Sequence, residues 1–182
     1  MNSYIDSTNL NAWTTIKDIE NLCNDARKYS FASVCVHPYY VPFAKKALEG
    51  TNVQVGTVVG FPLGMNTKEV KAFEAIHAVE EGADEIDMVI NIGALKDKDY
   101  EYVKDEIEEI RDSIDGKVLK VIIETCYLTE EEVKKMTEIC NQTYVNYIKT
   151  STGFGSRGVS ERDIEIIMEN KNNDPIKNVG EK

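Results

Sequence analysis

Residues 145–155 read V-N-Y-I-K-T-S-T-G-F-G, and the amine of Lys149 is the group in this stretch best suited to chemistry. Val145, Tyr147 and Lys149 share one face by the two-residue period of a strand, and Val145, Tyr147 and Ile148 suit a strand that is mostly buried. At Thr150 the composition switches to Thr, Ser and Gly, which favour a loop and expose backbone N–H groups. A lysine at the carboxyl end of a buried strand has two readings from its residues alone. It caps the strand and snorkels to water, or it is desolvated enough to lose its proton and attack a carbonyl, forming a Schiff base. Further polar residues fall at the carboxyl ends of other expected strands: Asp6, Asp87 and Glu124. Lys120 shares a strand face with Glu124, as a pair that tunes a site or as a structural ion pair. Gly153 and the N–H groups around it form either an anion nest or a flexible loop. Glu74-x-x-His77 is a single copy on an acidic helix and reads as a solvated face rather than a metal motif.

These residues are positioned by an alternation of strands and helices. Apolar runs of strand length fall at 4–8, 31–36, 53–61, 85–91, 118–124 and 145–149. One-sided helical stripes fall at 14–29, 42–49, 68–81, 100–114, 129–141 and 160–169, with Thr14 or Thr15, Thr67 and Ser160 as caps. Ser160 with Asp163 three residues later is a near-match to a capping box. Strand starts recur roughly every 25–35 residues, the length of a strand–helix–strand unit. Buried strands joined by helices call for a parallel sheet with helices packed against it. An open doubly wound sheet would signal itself with G-x-G-x-x-G after the first strand, and residues 4–10 hold nothing of the kind. Polar residues at several different strand ends suit the closed (β/α)8 barrel.

Composition bounds the rest. The 182 residues suit a single domain, residues 1–182, with 42% hydrophobic and 29% charged residues. No apolar run approaches the ~18 residues of a membrane span, and the first residues are not a signal peptide, so a cytoplasmic protein is expected. A net charge of -11 argues against nucleic acid as a partner. It leaves room for a small phosphorylated substrate, which needs only local amides and one or two cations. The four cysteines are widely spaced, as reduced thiols would be.

I-K-T-S-T-G-F resembles the Schiff-base segment of the deoxyribose-phosphate aldolase family, class I aldolases of the TIM-barrel type. Y-I-D-S-T from Tyr4, A-S-V-C-V from Ala32 and V-V-G-F-P-L-G from Val58 resemble the same family in the same order. So do G-A-D-E-I-D-M-V-I-N-I-G-A-L from Gly82 and L-K-V-I-I-E-T from Leu119. The resemblance implies a lyase that needs no metal or other cofactor and cleaves 2-deoxy-D-ribose 5-phosphate through a Schiff base on Lys149. It makes Asp87 the acid/base carboxylate, because forming and collapsing a carbinolamine moves protons on and off one oxygen. It matches Asp6 and Thr8 to a polar pair on the first strand, although Ser7 and Asn9 replace the His and Leu usual there. It also lays Lys182 onto the second active-site lysine, the cation that would help Lys149 to lose its proton.

A full barrel needs about 250 residues and eight strands. Six strands are expected here, with a seventh only begun at 177–182 and an eighth missing, so the barrel is incomplete. Free strand edges and an apolar inner face would then drive self-association, either as a homo-oligomer or with a complementing chain. The other function class is accordingly an inactive, aldolase-like chain acting only as a structural or interaction partner.

Overall fold

The structure, a computed structural model, describes residues 2–172 and 177–179. Seven strands form one parallel sheet in chain order: β1 Asp6–Asn9, β2 Ser33–Val36, β3 Gln54–Val59, β4 Glu85–Val89, β5 Val118–Ile122, β6 Tyr147–Lys149 and β7 Lys177–Val179. The helices are α1 Ile16–Tyr29, α2 Val41–Ala47, α3 Lys68–Glu80, α4 Ile92–Lys96, α5 Tyr100–Ser113, α6 Glu130–Gln142 and α7 Glu161–Asn170. The barrel-type α/β architecture is therefore borne out, and the strand begun at Lys177 pairs with β6. Lys182 lies outside the described residues.

Local chemistry accounts for the element ends. Thr15, Thr129 and Ser160 each cap a helix with a hydroxyl, and the acid three residues on returns the bond to the cap's own N–H. The third strand stops at Val59 rather than at Phe61, because Gly60 takes a left-handed turn at φ +63°. The fourth stops at Val89 rather than at Asn91, whose side chain instead caps α4. No helix was expected at α4, although an Asn before a short apolar run is the usual signal for one. β1 begins two residues later than expected, behind a 3₁₀ turn at Asn2–Tyr4.

The pleat sends alternate residues to two unlike faces. Val34, Val36, Val55, Val59, Ile86, Met88, Leu119, Val121 and Ile148 point outward into a continuous apolar core shared with the helices. Fully burying one such side chain is worth about 1.5–3 kcal/mol, so this layer is the main source of stability. The inner face is different: where an apolar interior was expected, it is mixed, with charged residues set among apolar ones. Ser33, Cys35, Glu85, Asp87, Lys120 and Lys149 alternate with the outward residues; among the described residues, Val58, Val89 and Ile122 share that face, and Leu10, Cys35, Val58 and Phe61 make a small apolar cluster. Opposite charges on neighbouring strands neutralise one another, which lets the interior be partly polar.

Candidate active site

Five strands deliver the site. Lys149 is the last residue of β6, and its Nζ donates to Asp87 Oδ2 of β4 at 2.7 Å. Both side chains are buried, at 1% and 0% exposure, so each charge helps to stabilise the other there. Lys120 of β5 lies between them and the first strand. Its Nζ is 2.6 Å from Asp6 Oδ2, 2.6 Å from Glu85 Oε2 and 3.7 Å from Asp87 Oδ1. The Lys120–Glu85 contact is a close ion pair. Ser33 Oγ of β2 donates to Asp6 Oδ1 at 2.8 Å, and the Cys35 thiol lies 3.9 Å from Asp87 Oδ2.

The electrostatics follow from that packing. Burial would push the Asp87 carboxyl up, but Lys149 and Lys120 more than reverse this and hold it below the usual carboxylate range. Burial would likewise strip the Lys120 ammonium of its proton, and Asp87, Glu85 and Asp6 together keep it firmly charged. Glu85 goes the other way: its desolvation outweighs the pull of Lys120, and Asp6 and Asp87 add repulsion, so its carboxyl is pushed up. Chemically, a 2.7 Å contact between an amine and a carboxylate is a short path for one proton. When Asp87 takes that proton, Lys149 becomes a neutral amine on the inner face of the sheet.

The residues expected from sequence divide into three groups. Lys149, Asp87, Lys120 and Asp6 come together in this one cluster. Thr8 and Gly153 do not enter it. Thr8 is exposed further along β1, with its hydroxyl on the Asp6 carbonyl at 3.2 Å. Gly153 is exposed at the mouth with φ +84°, and a Cβ there would meet nothing within 4 Å. Glu74 and His77 also separate: Glu74 turns inward to accept from the Gly60 N–H at 2.8 Å, while His77 stacks on exposed Phe73. Glu85 and Ser33 belong to the site but were not anticipated. Each lies two residues before another member, Asp87 or Cys35, on the same strand, so the strand period carried the signal.

The family model described as "DeoC/LacD family aldolase" matches residues 1–177. The chain belongs to the DeoC/LacD aldolase family. A deoxyribose-phosphate aldolase of Finegoldia magna is 53% identical over 169 residues, which cover 93% of this chain and 79% of that relative. Among solved structures, the aldolase QR15 superposes with a TM-score of 0.92 at 40% identity, covering 97% of this chain and 79% of QR15. A deoxyribose phosphate aldolase of Aeropyrum pernix, described as having a unique tetrameric structure, superposes at 0.85 with 29% identity, covering 93% and 71% of the two chains. DeoC/LacD aldolases are lyases, and the parallel strand order found here is that of a barrel of this family. Among the described residues, no helix is long and apolar enough to cross a membrane.

Proposed function

We propose that the chain cleaves 2-deoxy-D-ribose 5-phosphate to D-glyceraldehyde 3-phosphate and acetaldehyde through a Schiff base on Lys149. The observation that carries this reading is the buried Lys149–Asp87 pair, with Lys149 at the carboxyl end of β6 and Asp87 in the middle of β4. The relatives named as deoxyribose-phosphate aldolases support the substrate. Asp87 takes one proton from the Lys149 ammonium, and the free amine attacks C1 of the open-chain sugar. The new C–N bond forms as the carbonyl oxygen gains a proton. Loss of that oxygen as water leaves an iminium, and Asp87, through a water, moves the protons involved. Cleavage of the C2–C3 bond sends its electron pair into the iminium, while the C3 hydroxyl gives up its proton and becomes the aldehyde of glyceraldehyde 3-phosphate. The enamine is protonated at C2, and water then releases acetaldehyde and the lysine.

Lys120 and Asp6 face the same interior, where an ammonium donor and a carboxylate acceptor suit sugar hydroxyls. Lys120 also supplies a fixed positive charge beside Asp87, whatever Lys182 contributes. The exposed Gly153 backbone suits the phosphate end of the substrate. The Aeropyrum pernix tetramer, together with Val70 and Phe73 exposed on α3, supports a self-associating chain. The test is turnover of 2-deoxy-D-ribose 5-phosphate, with glyceraldehyde 3-phosphate detected by a coupled dehydrogenase. Release of glyceraldehyde 3-phosphate by the wild type and its loss in Lys149→Arg is the expected result. Cleavage persisting in a folded Lys149→Arg would overturn the assignment.

A further inference from the structure

Directly beside Lys149 the sheet loses its register. Ile123 N–H donates to the Lys149 carbonyl at 3.0 Å, and Thr125 N–H donates to the Thr150 carbonyl at 2.8 Å. Two steps along the β5 chain therefore match one step along the β6 chain. The residue left over is Glu124, which makes a bulge in a parallel pair. Its backbone is left-handed, φ 48° and ψ 67°, a conformation that non-glycine residues avoid. The bulge aims its side chain under the loop that follows Lys149. Glu124 is 1% exposed, and among the described residues no cation lies within ion-pair distance of it. Its Oε2 accepts from the Thr152 N–H at 3.2 Å and from the Thr152 hydroxyl, and its Oε1 accepts from the Cys126 thiol at 3.6 Å. An ionised carboxylate is an acceptor only and suits three donors, whereas an amide would set an N–H against one of them.

This arrangement fixes more than one bond. With its proton committed to Glu124, the Thr152 hydroxyl accepts from the Phe154 N–H at 3.0 Å, which closes the turn over the carboxylate. The chain comes so close that a Cβ on Gly155 would stand 2.5 Å from Cys126 Sγ and 3.0 Å from Glu124 Oε1. Glu124 thus ties down the loop on one side of Lys149, while the Ile123 bond ties down Lys149 itself.

We propose that Glu124 is a positioning residue: acting through Thr152, it holds the loop after Lys149 in the conformation that sets the amine toward the aldehyde. This rests on Lys149 being the Schiff-base lysine. The test combines amide hydrogen exchange of the loop peptide with borohydride trapping of acetaldehyde on Lys149. Wild type is compared with Glu124→Gln, Thr152→Val and Thr152→Ser. Glu124→Gln and Thr152→Val are expected to exchange the loop amides about tenfold faster or more, as loss of a hydrogen bond to a charged group implies. Maximal trapping rate is expected to fall by about the same factor, with the half-saturating acetaldehyde concentration unchanged and exchange in β3 and β4 unaltered. Thr152→Ser, which keeps the hydroxyl, is expected to restore the loop protection that Thr152→Val loses. The proposal is overturned if Glu124→Gln leaves the loop amides as protected as in wild type. It is equally overturned if the loop loosens without slowing the trapping, or if Thr152→Ser behaves as Thr152→Val. A wild-type chain that traps no aldehyde would fail the Schiff-base reading and, with it, the orienting role. Loop exchange that still responded to Glu124→Gln would leave Glu124 as a structural tie alone.

Discussion

Lys71 and Lys149 are both fully buried lysines paired with a carboxylate at 2.7 Å, yet their surroundings differ. Lys71 lies on the helix side of the sheet, between α3 and α5. Its Nζ donates to Glu106 Oε2 and, at 2.8 Å, to the Val89 carbonyl, while Glu106 Oε1 accepts from the Asn91 N–H at 2.6 Å. Both oxygens of that carboxylate are used, and the pair clamps the carboxyl end of β4. The inner cluster sets three carboxylates, Asp6, Glu85 and Asp87, against two lysines among the described residues, and Asp87 Oδ1 is buried with no donor. The protonation tendencies diverge accordingly. Burial lowers Lys71 and raises Glu106 against their mutual attraction, so both would be easier to charge in the unfolded chain. At Asp87 burial loses to two lysines. Burial of a lysine therefore does not by itself mark a functional amine; the proposed role of Lys149 rests on its place on the inner face, beside a carboxylate with an oxygen that no hydrogen bond among the described residues uses.

The largest expected contrast is in activity. Lys149→Arg should abolish turnover and aldehyde trapping, because arginine keeps the charge but cannot become a neutral amine. Its circular dichroism spectrum should match that of wild type. Lys71→Arg should leave trapping measurable. Asp87→Asn should slow turnover by about 10²-fold or more, the usual scale for losing general acid–base help. Equal turnover in the folded variant would make Asp87 a bystander.

The outer pair predicts the reverse pattern. Lys71→Met strands a buried carboxylate and should cost about 3–5 kcal/mol in denaturant unfolding, with little change in turnover per folded molecule. Adding Glu106→Leu should recover most of that loss, since an apolar pair of similar volume escapes the desolvation that burdens the ion pair. No recovery would mean that the clamp on Val89 and Asn91 matters more than the charges.

The smallest effect is in acid. The Asp87 carboxyl is lowered on folding, so its stabilising contribution is present above the ordinary value of 3.8 and is lost as pH falls through the folded value. Asp87→Asn should thus be less stable than wild type at neutral pH and lose stability less steeply below pH 3.8. Parallel acid curves for the two proteins would contradict that assignment.

Much of this was legible in the sequence because parallel strands and amphipathic helices have different periods, and the alternation survives small errors in boundary. Lys149, Asp87, Lys120 and Asp6 could be singled out because each ends or lines a strand. Tertiary pairings were not legible. The Lys71–Glu106 pair joins two helices across 35 residues of sequence, and nothing local in either helix marks a buried charge. Glu85 sits among acids that look solvated, and only strand phase separates it from Asp84, which pairs with Lys45 at 2.7 Å. The bulge at Glu124 was hidden for another reason: a left-handed glutamate breaks the pattern from which strands are read.

The central claim is that the inner lysine is reactive and the outer one is not. Incubating the chain with acetaldehyde and borohydride, then locating the modification by peptide mass, tests it most directly. An ethyl group on Lys149, with Lys71 and Lys120 unmodified, is the predicted result. Modification spread over the exposed lysines, with Lys149 spared, would contradict it.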